Sequence, residues 1–379
     1  MSKTAKWIVA IVVIILIVAG VWYWQTNKVS TPVETGPIKI GFIGPLTGDV
    51  ASIGQNNKAA TELAVEVINA NGGVNGRQIE MIWEDGRCDG ATAATAAQKL
   101  VNVDKVSAII GGLCSGESIS SAPIAEQGKV VMLSPLSSSP DLTLAGDYFF
   151  RNYPSDSYQG VKAAELATKD LQAKNIAVLA CQDDWCAGIE KVFTEKAQQL
   201  GANIVATERY DDKTSKDLKT QLTKIKSSNP DLIYFLGYSD STIIGLKQIK
   251  ELSINAKILG GDAWDDPKIV ESAGQAAEGI IYLKPVTPEN ADFVASMKSK
   301  TGGEEITIGS AQAYDAANIL AQVMGQVGSD SSKIKSALYK VKNYQGVSGV
   351  ISFDSNGDLT TANYVAKTVL GGKVIDLVK

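Results

Sequence analysis

The sequence predicts an α/β protein of two Rossmann-like lobes, each with a parallel sheet, behind an N-terminal transmembrane helix. Three observations predict it. The run Trp7 to Trp24 is uncharged; from Ile38 short apolar runs alternate with helical stretches; and the alternation starts again at Ile176. Repeated βα units give parallel sheets covered by helices, and two sets of them give two lobes.

The first run reads WIVAIVVIILIVAGVWYW, 18 residues. As a helix it spans about 27 Å, enough for a bilayer core. Trp7 stands at one end and Trp22, Tyr23 and Trp24 at the other, while Lys3 and Lys6 precede it. That charge bias keeps the N-terminus cytoplasmic and sends the rest outward. The alternative is a cleaved signal peptide, whose apolar region is shorter and ends in small residues. Here the run ends in bulky aromatics, and the polar, Pro-containing stretch Gln25 to Pro37 reads as a linker. Residues 1–36 are therefore anchor and linker.

Bulk composition narrows the function. About 340 residues follow the anchor, enough for two cores. Net charge is −5 with no Lys/Arg cluster, which argues against nucleic acid as a partner. There is no histidine, which excludes Ser-His-Asp and Cys-His mechanisms. Cys88, Cys114, Cys181 and Cys186 are an even set, badly spaced for zinc and suited to an oxidising compartment. Four buried free thiols are the alternative. Cys88 and Cys114 both follow predicted strands and can come within bridging range. Cys181 and Cys186 flank a short loop that a local bridge would stiffen.

Taken in order, IKIGFIGP (Ile38 to Pro45) reads as a strand buried on both faces. A helix near Gln55 to Ala70 is stopped by Asn71, Gly72 and Gly73. Strands follow at Ile79 to Asp85, Val106 to Gly112 and Val130 to Pro135, with an Ala-rich helix near Ala91 to Val103 and another helix between the last two. The second set has strands at Ile176 to Ala180, Ile204 to Tyr210, Leu232 to Tyr238, Lys257 to Asp262 and Gly279 to Pro285. Beyond Pro285 come three helical stretches, GVISFD (Gly349 to Asp354), a hairpin turn Ser355 to Asp358 and a final strand pair. That turn lacks the bidentate glutamate of an EF-hand calcium loop.

In open parallel sheets, ligands bind beyond the carboxyl ends of the strands. There the first lobe offers Cys114-Ser115-Gly116-Glu117-Ser118 and Leu136-Ser137-Ser138-Ser139. A serine opening a helix is a common cap, and a serine run a common turn. The same groups present hydroxyls and free N–H groups to an anion. The second lobe offers Asp183-Asp184-Trp185, Tyr238-Ser239-Asp240 and Asp262-Ala263-Trp264. Carboxylates and rings suit an ammonium group. Donors on one side and an acid with aromatics on the other would hold a zwitterion in a closing cleft. No phosphate loop, nucleophile elbow or dinucleotide fingerprint occurs. The pairs Asp183-Asp184, Asp211-Asp212 and Asp265-Asp266 read as solvated surface, because adjacent side chains diverge.

The segments GFIGPLTGDVASIG (Gly41 to Gly54), INANGGVNGR (Ile68 to Arg77), GGLCSGES (Gly111 to Ser118), SPLSSSPDLT (Ser134 to Thr143), FRNYPSDSYQG (Phe150 to Gly160) and AYDAAN (Ala313 to Asn318) carry a resemblance over nearly all of Ile38 to Lys379. The chain resembles the branched-chain amino acid (Leu/Ile/Val-type) binding proteins of ABC transporters, in the type I periplasmic binding protein family. The resemblance implies two lobes joined by a three-crossover hinge: 37–155 plus 285–362, and 156–284 plus 363–379. It implies the Cys88–Cys114 bridge; Cys181–Cys186 is outside the family pattern. Carried over, the ligand carboxylate meets Ser115 and Ser138. The ammonium meets the Ser137 carbonyl, the Ser138 hydroxyl and Asp262, which stands where the family commonly has glutamate. Asp156 falls on a cleft acid, and Trp185 and Tyr238 on covering aromatics. Ile53 and the region of Gly309 depart from the family's side-chain contacts, with Trp264 expected to refill part of that pocket. The implied role is a monomeric receptor without cofactor or metal, delivering an amino acid or near relative to an ABC permease at the outer membrane face. A ligand-sensing extracellular domain is the alternative; an enzyme is not expected.

Overall fold

The computed structural model describes Ala5, Trp7, 13–20, Trp22 and 36–377. It divides after Gly36 into two units. In the first, the described residues up to Trp22 are helical, and Val13 to Val18 expose about half or more of each side chain. Among the described residues, no helix is long and apolar enough to cross a membrane. The rest of the expected span Trp7 to Trp24, and the linker up to Thr35, lie outside the described residues.

The second unit contains two large sheets. One has five parallel strands in the order β2-β1-β3-β4-β5: β1 Ile38–Gly44, β2 Ile79–Asp85, β3 Ala108–Gly111, β4 Val131–Ser134 and β5 Phe149–Arg151. The near-continuous apolar runs are explained by cover on both faces. Helices Ala51–Ala70 and Ser310–Val327 join Phe42, Ile110 and Leu133 in one core. Helices Gly90–Lys99 and Ser115–Gly128 pack with Ile43, Ile109 and Met132 in another.

The other sheet has seven strands, ordered β14-β13-β10-β9-β8-β6-β7. β6 Asn175–Cys181, β7 Asn203–Tyr210, β8 Leu232–Leu236, β9 Lys257–Gly260 and β10 Ile281–Pro285 are parallel. β13 Tyr364–Leu370 and β14 Lys373–Asp376 are antiparallel, so this sheet is mixed and not wholly parallel as expected. Gly371 and Gly372, at φ +60 and +74, reverse the chain between β13 and β14, while β13 enters the sheet against β10 on its return from the first lobe.

The chain passes between the sheets three times: between β5 and β6, after β10, and before β13. Two short strands escape the sequence pattern, β5 and β11 Tyr344–Gly346, the latter pairing with β12 Gly349–Ile351. With three residues each they are too short for a periodic signal. The turn Ser355 to Asp358 closes on a single bridge, Phe353 to Leu359, and the expected final strand pair follows as β13 and β14. Its Asp358 carboxylate binds the fully buried Arg151 guanidinium through Nε at 2.5 Å and Nη2 at 2.9 Å. Both disulfides are formed, Cys88–Cys114 with Cα atoms 5.3 Å apart and Cys181–Cys186 with 5.5 Å.

Candidate functional site

The carboxyl ends of both sheets border a cavity that is open to solvent. Ser115, Ser138, Trp185, Tyr238 and Asp262 line it; Ser137 and Asp156 do not.

On the first lobe, Ser115 is the first residue of helix Ser115–Gly128 and is almost fully buried. Its Oγ accepts the Ser138 N–H at 3.3 Å and the Ser139 N–H at 3.1 Å. Both lone pairs are thereby used, so the hydroxyl proton is left to donate into the cavity. The Ser137 hydroxyl faces the opposite way. It sits 3.0 Å from the Gly112 carbonyl, 3.0 Å from that of Cys114 and 2.7 Å from the Ser118 hydroxyl. Ser137 clamps the loop that Ser138 presents.

Sequence reasoning passed over Glu117 in this loop. Its carboxyl accepts the N–H groups of Leu113 at 2.9 Å, Cys114 at 3.0 Å and Cys88 at 2.9 Å. It binds together the two chain segments that the first disulfide also joins. Burial pushes it up to about 7 despite those donors. The signal was present, since a glutamate at the third helical position forms a capping box.

On the second lobe, Trp185 lies in the first turn of helix Asp184–Gln199, inside the Cys181–Cys186 loop. Asp183 caps that helix by accepting the Cys186 N–H at 2.7 Å. Burial pushes Asp183 up to about 6, although Cys186 and the Tyr238 hydroxyl hydrogen-bond to it. The Trp185 and Tyr238 rings are 5.1 Å apart and tilted by 37°. Asp262, 3% exposed, accepts the Tyr153 hydroxyl at 2.7 Å, and its N–H donates to Gln159 Oε1 at 2.9 Å. Tyr153 and Gln159 also went unnoticed in the sequence, because their partner is more than 100 residues away.

The apolar walls are Pro45, Val50, Ile53, Leu136, Ala263 and Ile308. Trp264 does not refill this pocket. It is 1% exposed, edge-on to Phe235 at 5.5 Å, and lies where a Cβ on Gly260 would come within 2.2 Å. The side chain is core of the second lobe. Near Gly309 the space is held by Asn57, whose Oδ1 would be 2.6 Å from a Cβ there.

The lobes touch around this cavity. Lys213 Nζ on the second lobe meets Asp89 Oδ2 on the first at 2.8 Å. Gly188 packs where a Cβ would be 2.8 Å from Pro140 Cδ, and Gly116 where one would be 3.1 Å from Asp184 Oδ2. A wider opening of about 1940 Å³ adjoins the cavity at Val50, Cys114 and Tyr238, with Asp49, Asp89, Asp183 and Asp212 around it. The aspartate pairs are not simply solvated, as the sequence had suggested. Asp183 caps a helix, Asp212 and Asp266 accept the Ser241 and Ser239 hydroxyls, and Asp265 pairs with Lys284. Cys181, Asp183 and Cys186 converge within metal-ligand distance, but the two sulfurs are bonded to each other.

Comparisons with known proteins agree with this fold. The profile of the periplasmic binding protein family matches residues 37–373, and the chain belongs to that family. It is 29% identical over 333 residues to a leucine-, isoleucine-, valine-, threonine- and alanine-binding protein of Pseudomonas aeruginosa, covering 86% of this chain and 88% of that one. A leucine-binding protein of Thermotoga maritima superposes with a TM-score of 0.82 at 31% identity, over 90% of this chain and 98% of the other. A branched-chain amino acid transporter substrate-binding protein of Streptococcus pneumoniae, solved with isoleucine, superposes at 0.81 and 29% identity, over 90% of this chain and 100% of the other.

Proposed function

We propose, from membership of the periplasmic binding protein family and the chemistry of the cavity, that this chain is the extracytoplasmic solute-binding protein of an ABC transporter. Its ligand is an α-amino acid with an aliphatic side chain, handed on to a permease. One observation carries the reading: neutral donors on one lobe and a buried carboxylate with two rings on the other face each other across a cavity with aliphatic walls. The Ser115 and Ser138 hydroxyls take the ligand carboxylate. Asp262 takes the ammonium, Trp185 and Tyr238 cover it, and Ile53, Leu136 and Ile308 receive the side chain. Relatives whose names or bound ligands are leucine and isoleucine support the aliphatic class.

The lobes are 37–155 plus 285–362 and 156–284 plus 363–379, closing about the three crossovers. The uncharged run Trp7 to Trp24 and the preceding Lys3 and Lys6 support a tether that leaves the lobes outside the membrane. A thermal-shift panel on residues 37–379 tests the reading. Leucine, isoleucine or valine at about 100 times Kd is expected to add roughly 2.7 kcal/mol of stability, and sugars and nucleosides none. A panel in which no amino acid shifts the melt rejects it.

A further inference from the structure

Two buried carboxylates stand at the ammonium end, and they are not equivalent. Asp262 lines the cavity, whereas Asp156 is fully buried and lies outside its walls. Gln159 joins them, donating from Nε2 to Asp156 Oδ1 at 2.9 Å and accepting the Asp262 N–H at Oε1 at 2.9 Å. Asp262 Oδ2 also receives the Tyr153 hydroxyl, while Asp156 Oδ2 has no hydrogen-bond partner.

The groups facing this pair offer little positive charge. Tyr153 comes from the first crossover, Tyr234 from β8, Tyr364 from β13 and Ser138 from the first lobe. The cation facing Asp156 is Arg151, whose guanidinium is already bound to Asp358 and to the Ser139 carbonyl. Two neighbouring buried carboxylates with no cation of their own cannot both stay ionised, and one keeps a proton.

We infer that the pair holds a single negative charge, with the proton on Asp156 and the charge on Asp262, and that neutral Asp156 is a positioning residue of the ammonium subsite. The division follows from the contacts. Asp262 has a hydroxyl donor and faces the space an ammonium would enter. Asp156 has the amide of Gln159 and the Ser138 hydroxyl at its carboxyl group and faces no such space. Burial and then the Asp262 charge push Asp156 well above the usual carboxylate range, while the Tyr153 hydroxyl opposes the upward effect of burial on Asp262. Asp156 acts through others: its carboxyl orients Gln159, which fixes the Asp262 backbone, and its N–H holds the Ser138 carbonyl at 2.7 Å. One charge on the protein then matches one ammonium on the ligand. The inference rests on the reading of an amino-acid ligand.

Asparagine mimics a protonated aspartate, which provides the test. For L-leucine measured by calorimetry, Asp156→Ala, which frees Gln159, is expected to lose about tenfold or more, and the neutral isostere Asp156→Asn to restore binding to within about threefold of wild type. Asp262→Asn is expected to lose about a hundredfold or more. Infrared spectra of ¹³C-aspartate-labelled ligand-free protein at pH 7 should show a protonated-carboxyl band that Asp156→Asn removes. Folded Asp156→Asn that loses more than about tenfold overturns the inference, as does wild type without that band. If Asp156→Asn fails to fold, the wild-type band decides. If wild type binds no amino acid, the functional reading fails, and the band still decides the protonation state separately.

Discussion

The first lobe meets the cavity with neutral donors, each held by other neutral groups. The second meets it with rings and a buried acid. Ser115 opens a helix and Ser137 and Ser138 sit in the neighbouring loop, the two tied by hydrogen bonds of the serines and the first braced by the Glu117 carboxyl and the Cys88–Cys114 bridge. Asp262 hangs on two reaching side chains, Tyr153 and Gln159, both from the segment that leaves the first lobe. Under the proposed function the difference becomes a division of labour: a carboxylate site built before closure, and an ammonium site completed by it. A rigid donor loop spends no ordering entropy on the ligand, and a buried acid strengthens its ion pair by excluding water.

The sharpest way to break this comparison is at Asp262. Asp262→Ala is expected to cost about 2–5 kcal/mol of amino-acid affinity by calorimetry, because the ligand ammonium is left buried and unpaired. Undiminished affinity would remove the second lobe's role.

The disulfides compare the lobes as scaffolds. The Cys88–Cys114 bridge spans 26 residues and Cys181–Cys186 spans 5. Chain entropy then assigns about 3.5 kcal/mol to the first and about 2 kcal/mol to the second. Denaturant melts of Cys88→Ser/Cys114→Ser and Cys181→Ser/Cys186→Ser check the order; equal losses would mean the short bridge acts through the folded state.

A smaller effect is expected at Ser115. Ser115→Ala removes a donor to an anionic group, worth about 1.5–3 kcal/mol of binding by calorimetry. Leucine methyl ester, which lacks the free carboxylate, should bind both proteins alike.

The smallest belongs to Lys213–Asp89 at the rim. Both side chains are well exposed, 58% and 38%, so solvent screening limits the pair to roughly 1 kcal/mol or less. The Lys213 ammonium holds the Asp89 carboxyl well below the usual range. A depressed acid contributes above its unfolded value and loses that contribution as pH falls through the folded one. Between pH 5 and 8 the pair is therefore constant, and salt, not pH, should weaken it. Leucine dissociation from Lys213→Ala in stopped flow should be modestly faster than from wild type, with the gap closing at high salt.

Much of this was legible in the chain. Apolar runs at Ile38, Val106, Ile176 and Leu232 marked strands, and the residues after them marked the cavity, because a βα unit puts its loop at the strand's carboxyl end. The helix expected from Gln55 begins at Ala51, since its cap is Val50 and no polar side chain announces it. That first turn carries Ile53, a cavity wall.

What the sequence by itself determined was set by neighbours a few residues apart: the element order, the two βα series, the cysteines beside each loop and the chemistry available at each strand end. Tertiary structure alone decided which of those groups face the cavity. Ser138 lines the cavity and Ser137 does not; Trp185 lines it and Trp264 is core. Adjacent residues in a loop point apart, and nothing local says which way. Tyr153 and Gln159 reach Asp262 across 109 and 103 residues. Strands β13 and β14 join the second sheet rather than the first. Those choices follow from burying apolar area and pairing buried polar groups between distant segments, and periodicity along the chain carries no record of either.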